Sequence, residues 1–316
     1  STTATMVEPT LAISSTQSAA TADAQDRIDF TVTIRHSNGV IASSGPAFNV
    51  QLLDLLHTNF VLIPGSLTTT MGTATETGAG TVDVYIPVFD LGDADVTVQY
   101  SVTVTDDIVY AEVLNIVQDL AWDSSPFSTS GNEGRPDTAS ATLATTALFD
   151  YTIGSVSLAT DITQTADPYV NVGETVTMEA TVTFAEGTSG TPKVTVTLPS
   201  VTGAMTVLSS KVLSIGSELT VADAGLAALG PGTTSGDAYS VVFDFGQVVN
   251  HGDNAVDAGD EIRLQVVALV QDDGRNQDGV DLLPGFEFDL GAWGSRSSST
   301  TATMVEPTLA ISSTQS

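Results

Sequence analysis

The strongest constraint on the fold is a two-residue alternation of apolar and polar side chains that recurs along the chain. Ile28, Phe30, Val32 and Ile34 alternate with Asp29, Thr31, Thr33 and Arg35, and Val96, Val98, Tyr100, Val102 and Val104 alternate with Thr97, Gln99, Ser101 and Thr103. The pattern returns at Val176, Met178, Ala180, Val182 and Phe184, and at Ile262, Leu264, Val266, Ala268 and Val270. Successive side chains of a strand point to opposite faces, so such segments bury one face of a sheet and leave the other wet. Antiparallel sheets packed on one side read this way, whereas parallel sheets carry continuous apolar runs with helices between them. Helical character is confined to Val221–Leu229, closed by Gly230-Pro231, which reads as one turn of helix in a loop. The alternation predicts Phe30, Val32, Val98, Val102, Val182, Phe243, Leu264 and Val266 buried, with Thr31, Thr33, Thr97 and Thr103 exposed.

Two repeats organise these strands. Residues 1–18 and 299–316 both read STTATMVEPTLAISSTQS, identical at all 18 positions with a period of 298 residues. Such identity reads as one repeat of a tandem array followed by the opening of the next. A fainter repeat lies inside it at an offset of about 150 residues. It lays Leu11–Ile34 on Leu158–Phe184, and Val88-Phe89-Asp90-Leu91-Gly92 on Val242-Phe243-Asp244-Phe245-Gly246. The expected division is therefore a first sandwich over 1–148, a second over 149–306, and the start of the next repeat's first sandwich over 307–316. Short alternating strands in modules of this size give an all-β fold, two tandem immunoglobulin-like antiparallel β-sandwiches.

Several segments carry a family resemblance. They are the opening strand Val7-Glu8-Pro9-Thr10-Leu11-Ala12-Ile13, the strands led by Asp26-Arg27 and by Gly173-Glu174, Asn49-Val50 to Leu53-Asp54-Leu55-Leu56, Pro64-Gly65-Ser66, and Asn115–Trp122 followed by Asp123-Ser124-Ser125-Pro126. In these the chain resembles the extracellular immunoglobulin-like conserved repeat domains (DUF11-like) found in tandem on large surface and adhesin-type proteins. It departs from them at Ser14-Ser15, where a lysine is common, and at His36-Ser37-Asn38-Gly39, where an aromatic-Asn-Gly turn is common. The resemblance implies fold and a surface location, and it carries no catalytic residue.

Charge and composition exclude whole classes of partner. Lys and Arg number 8 against 38 Asp and Glu, a formal charge of −30, which repels phosphate backbones and anionic lipid. Nucleic acid is therefore not an expected partner. No apolar run of about 18 residues is present to insert in a membrane, and the first residues lack the basic and apolar regions of a signal peptide. With no cysteine there is no disulfide, thiolate metal site or cysteine nucleophile. No asparagine begins an N-x-Ser/Thr sequon, which leaves only Ser/Thr-linked sugar open.

The residues that carry chemistry are few. His36, His57 and His251 are the only histidines; His36 and His251 adjoin turn sequences and read as exposed loop residues. Serine and threonine are so abundant that some Ser/His/Asp combination is inevitable, and no G-x-S-x-G, G-x-G-x-x-G or P-loop pattern is present. The chain is not expected to be an enzyme. Carboxylates flanking the strand Ile262–Val270 are the metal candidates: Asp253, Asp257 and Asp260 before it, and Asp272, Asp273, Asn276, Asp278 and Asp281 after it. Oxygen ligands on short loops suit Ca²⁺, but neither stretch matches an EF-hand loop, and Asp and Asn are also the residues of ordinary turns. No cofactor is required on this reading, with Ca²⁺ as the one candidate. Lys193 and Lys211 are the only lysines available to an isopeptide crosslink, and Trp122 and Trp293 read as core residues of closing strands.

The expected function is that of a structural repeat in a long secreted or surface-attached fibre, extracellular or at the cell surface, whose partner is the neighbouring repeat, head to tail. The alternative is an adhesin stalk or binding module that grips carbohydrate or protein through sandwich loops. The junction is expected at the duplicated segment, with Thr308, Leu309 and Ile311 doing in the next repeat what Leu11 and Ile13 do in this one.

Overall fold

The computed structural model describes residues 8–38, 42–78, 80–126, 137–148, 150–162, 167–201 and 203–306. The chain divides into two compact units, 1–148 and 149–316.

In the first unit, one sheet orders β1 (Leu11–Gln17), β3 (Arg27–His36), β9 (Val96–Val104) and β5 (Phe60–Leu62), with β6 (Thr68–Thr69) also paired to β9. The other orders β2 (Thr21–Ala22), β11 (Asp137–Ala147), β10 (Val113–Asp123), β4 (Ala47–Leu55), β8 (Thr81–Phe89) and β7 (Thr73–Glu76). The chain thus leaves β1 on one sheet and enters β2 on the other within a few residues. β2 runs parallel to β11, Thr21 opposite Thr146, a departure from the antiparallel rule confined to two residues. The alternating side chains meet between the sheets, where Phe30 stacks on Tyr100 at 5.4 Å and meets Phe60 edge-on at 6.0 Å. Each fully buried side chain of this size contributes roughly 1.5–3 kcal/mol.

The second unit repeats the plan. β12 (Thr152–Ile153) and β13 (Ser157–Thr160) both pair with β15 (Thr175–Thr183), followed by β23 (Glu261–Val270) and β18 (Met205–Ile215). β14 (Tyr169–Val170) crosses to run parallel with β27 (Ala302–Met304), whose other side pairs with β24 (Asp281–Leu282). A five-stranded sheet orders β20 (Thr233–Thr234), β21 (Ser240–Asp244), β17 (Lys193–Thr197), β25 (Gly285–Asp289) and β26 (Ser295–Ser299). A small sheet of β16 (Gly187–Ser189), β22 (Val248–Asn250) and β19 (Leu219–Val221) completes the unit. Register continues from Gly285 opposite Ser299 to Leu282 opposite Ala302, so the last hairpin is one ladder interrupted where Pro284 has no N–H to give. The helical turn α1 (Ala224–Ala227) is capped by Asp223, whose Oδ1 accepts from Leu226 N at 2.8 Å.

All eight residues predicted inward are buried. Thr31, Thr33, Thr97 and Thr103 face outward but are half-buried rather than exposed. They lie on interior strands, where Thr31 sits between Thr16 and Gln99, and Thr33 between Ser14 and Thr97, so hydroxyl neighbours cover one another.

Candidate functional site

The duplicated segment has two parts with separate structural work. In the first copy, β1 pairs with β3 from Leu11 opposite His36 to Gln17 opposite Phe30, with Leu11 buried and Ile13 half-buried. Ahead of it Pro9 is buried, and its carbonyl accepts a hydrogen bond from Trp122 Nε1 at 3.3 Å. In the second copy the described part is Ala302–Met304, in which Ala302 and Met304 are fully buried. Thr303 Oγ1 donates to Asp281 Oδ1 at 2.7 Å, and Val305 N donates to Val170 O at 2.9 Å. The residues that correspond to β1 in this copy, including Leu309 and Ile311 with Thr308 before them, lie outside the described residues.

The acidic loops hold their carboxylates in local turns. Asp257 Oδ1 accepts from Gly259 N at 2.6 Å, and Asp260 returns the bond by accepting from Asp257 N at 2.9 Å, a reciprocal cap on a short 3-10 turn. Asp260 is buried and also accepts from Asn250 Nδ2 at 3.0 Å. Asp253 Oδ1 accepts from Ala255 N. Across the strand, Asp273 takes both Nε and Nη2 of Arg275, and these bonds hold its carboxyl down to about 2. The Arg275 guanidinium also reaches Ser200 O. Asn276 is buried, with Oδ1 accepting from Ala204 N at 2.7 Å and Nδ2 donating to Ala204 O and Gln271 O, both at 2.8 Å. Asp278 and Asp281 accept from Glu306 N and Thr303 Oγ1, and Asp272 is exposed. Among the described residues no three acidic or histidine side chains are gathered as a metal would need.

The remaining candidates resolve individually. His36 is not an exposed loop residue: it ends β3, stacks on Phe89 at 4.5 Å, and places Nε2 3.0 Å from Phe89 O. A carbonyl there requires Nε2–H, so Nδ1 accepts from Ser43 Oγ at 2.7 Å. His57 Nε2 is 3.8 Å from Glu112, and His251 is exposed with Nε2 3.2 Å from Thr220 Oγ1. Lys193 pairs with Asp289 at 3.6 Å and Lys211 is exposed. Trp122 is buried on β10, whereas Trp293 is half-buried in a 3-10 turn between β25 and β26, not in a strand.

One constellation does not stand out from the alternation. The inward rows of four strands each place a polar side chain in one region of the first unit: Ser15 on β1, Asp54 on β4, Tyr100 on β9 and Gln118 on β10. Ser15 Oγ donates to Gln118 Oε1 at 2.7 Å, Gln118 Nε2 donates to Asp54 Oδ2 at 3.3 Å, and Tyr100 OH donates to the same oxygen at 2.9 Å. Asp54 and Gln118 are fully buried, and Asp54 Oδ1 has no hydrogen-bond partner. Burial pushes the Asp54 carboxyl up to about 6 against the lowering effect of its two donors, and drives the Tyr100 hydroxyl up as well. The sequence signal is a side chain with a polar group at an inward position in each of four strands, visible only once their alternation is phased.

Comparisons with known proteins add little. No family model matches the chain, and no curated protein sequence matches it. Among solved structures, the C-terminal domain of the antigen I/II-family protein AspA of Streptococcus pyogenes aligns over 96% of this chain and 100% of its own at 11% identity and a TM-score of 0.34. A C-terminal fragment of the major pilin of Streptococcus agalactiae aligns over 94% and 91% at 8% identity and a TM-score of 0.34. The major pilin subunit BcpA of Bacillus cereus aligns over 84% and 68% at 6% identity and a TM-score of 0.35. Likeness of that degree assigns this chain no role.

Proposed function

We propose that this chain is a structural repeat of a long extracellular fibre, secreted or attached to the cell surface, with modules joined head to tail. The observation that carries the reading is the division of labour within the duplicated segment. Its Ala-Thr-Met part is the last strand of the second unit, seen at Ala302–Met304, and its Leu-to-Gln part is the first strand of the first unit, seen at Leu11–Gln17. The two parts do not overlap, so one copy serves both as the end of one repeat and the start of the next. Residues 307–316 are then the opening of the following first unit, with Thr308, Leu309 and Ile311 in the junction.

The spacers support the same reading. Four residues, 148–151, separate β11 from β12, and four, 305–308, separate β27 from the second copy of the β1 sequence. Connections this short suit a fibre in which one module follows another directly along the chain. The resemblance to extracellular conserved repeat domains belongs with this function, which involves no catalytic turnover and no obligatory cofactor. The carboxylates of the acidic loops then act as solvated charge that Ca²⁺ or other cations screen.

A groove of about 440 Å³ on the outer face of β17, β25 and β26 favours a second reading, a binding module. It is lined by Thr195, Thr197, Glu287, Ser297 and Ser299, and Gly285 leaves its floor open. Hydroxyls around one carboxylate offer hydrogen bonds to a polar ligand such as a sugar. Electron microscopy of the native material tests the choice: unbranched filaments support the fibre, and isolated particles overturn it.

A further inference from the structure

One long strand of the first unit is open along its edge. β11 pairs with β10 in unbroken register from Asp137 opposite Trp122 to Thr146 opposite Val113, and on its other side β2 pairs with Thr146 and Ala147 alone. Ala147 N donates toward β10, to Glu112 O, whereas Thr146 N donates away from it, to Ala20 O. By the alternation of a strand, Thr138, Ser140, Thr142 and Ala144 also turn their N–H and C=O away from β10. Among the described residues these groups receive one hydrogen bond, from Gln17 Nε2 to Ala144 O at 2.9 Å. The core opens at the same place: Ile116, Gln118 and Leu120 on β10 are buried, while Leu143, Ala141 and Ala139 opposite them on β11 are half-buried.

We propose that this edge pairs with a second copy of itself, two chains joining through β11, antiparallel about a two-fold axis at Ser140. With Ala144 O held by Gln17, the free run is Thr138–Thr142. Centring that run sets Ser140 opposite Ser140 of the second copy and Thr138 opposite Thr142, three pairs that exchange roughly six backbone hydrogen bonds. An axis normal to the sheet keeps both inward rows on one side, so Ala139 meets Ala141 over the core and the Ser and Thr hydroxyls meet on the outer face. The contact is the same patch on both partners, so the assembly closes at two.

Charge and side-chain size select a second copy as the occupant. A chain at −30 repels its own kind, yet Thr138–Ala147 contains no charged residue. The carboxylate level with Ser140 is Asp119, one strand in on β10. Across the pair the two Asp119 side chains stand three strand spacings apart, about 14 Å, beyond the screening length of about 8 Å at physiological salt. The inward row offers Ala139 and Ala141 rather than a pocket for a large side chain, and the strand that fits against it is one equally small, which β11 is. Exposed edges are ordinarily blocked by lysine, proline or a bulge. β18, an edge strand of the same length in the second unit, has Lys211, two register shifts, and Val207 N and Val212 N bonded to Ala238 O and Gly230 O. β11 has none of these devices. In a fibre the pairing would hold two fibres side by side, and it does not require that repeats follow one another in the chain.

Disulfide trapping tests the pairing in the full chain, which has no cysteine of its own. Opposed residues of a hydrogen-bonded antiparallel pair have Cα atoms about 5.5 Å apart, within the span of about 4.4–6.8 Å that a disulfide bridges. Under copper–phenanthroline oxidation in about 0.5 M NaCl, where charge is screened, Ser140→Cys should form a covalent dimer about tenfold or more faster than Ser297→Cys on the exposed β26. Adding Thr142→Lys to Ser140→Cys should abolish that advantage. Sedimentation of the unsubstituted chain should show a concentration-dependent dimer that Ser140→Pro removes. That variant deletes an N–H which β10 does not use, so its urea midpoint and circular dichroism should match the parent. Equal crosslinking at the two positions overturns the proposal. So does crosslinking that survives Thr142→Lys, or a dimer that persists in folded Ser140→Pro.

Discussion

Tyr100 donates its phenolic hydrogen bond to Oδ2 of Asp54 at 2.9 Å inside the first unit, and the second carboxyl oxygen of Asp54 has no partner. A buried carboxyl so placed binds its proton more tightly folded than unfolded. With the folded value near 6 against an ordinary 3.8, its stabilisation is complete below about pH 4 and is lost as the pH rises through 6. The loss is on the order of 3 kcal/mol, since each tenfold change in proton affinity is worth about 1.36 kcal/mol. Urea midpoints of the first unit should fall between pH 4 and pH 7, and Asp54→Asn should flatten that dependence. A midpoint that rises over this range contradicts the assignment.

Phe184 is the hub of the second unit's aromatic core, with ring centroids 5.2 Å from Phe288, 6.1 Å from Phe245 and 6.4 Å from Tyr151. Phe184→Ala should cost roughly 3–5 kcal/mol. Thr31→Ala, on the half-buried outer face of β3, should cost under about 1 kcal/mol. Thermal or urea unfolding distinguishes the two, and equal costs would mean that the strand faces are misassigned.

The long strands are legible in the sequence because contrast between neighbours is high: Val, Ile and Phe against Thr, Asp and Arg phase a strand unambiguously. β11 is not legible. Its sequence, Asp-Thr-Ala-Ser-Ala-Thr-Leu-Ala-Thr-Thr-Ala, alternates small residues with hydroxyls, so neither face stands out as apolar. The crossing of the first strand between sheets is equally hidden, since β2 is two residues held by a parallel pair with β11. At the candidate sites, composition finds the acidic loops, but only coordinates show Asp257 and Asp260 capping each other. Asp54 and Gln118 escape a reading of the sequence because their partners are distant along the chain.

The junction makes a prediction about two residues of identical context. Leu11 is buried at the start of β1, so Leu11→Ala should destabilise the first unit by roughly 2–5 kcal/mol. In a chain of two consecutive repeats, Leu309→Ala should destabilise the second copy's first unit by the same amount. In the single repeat it should leave both units unchanged. A loss of stability in the single repeat would place Leu309 in this chain's own core.

The charge of −30 predicts a salt response. The melting temperature should rise as NaCl screens the repulsion, most steeply up to about 0.15 M, where the screening length is near 8 Å. Because Asp257, Asp260, Asp273 and Asp281 already hold local donors, CaCl₂ at matched ionic strength should add no more than NaCl. A larger rise with CaCl₂, reversed by chelation, would establish a specific site.

If repeats follow one another in a single polypeptide, peptide mapping of the native material reads the junction itself. Trypsin cuts after Arg296 and after Arg27, and the stretch between them in a tandem array contains neither lysine nor arginine. The expected product is one peptide that runs from Ser297 through Ser316 directly into Ala19 and on to Arg27. A peptide that begins at Ser297 and stops at Ser316, with no species continuing into Ala19, would contradict it.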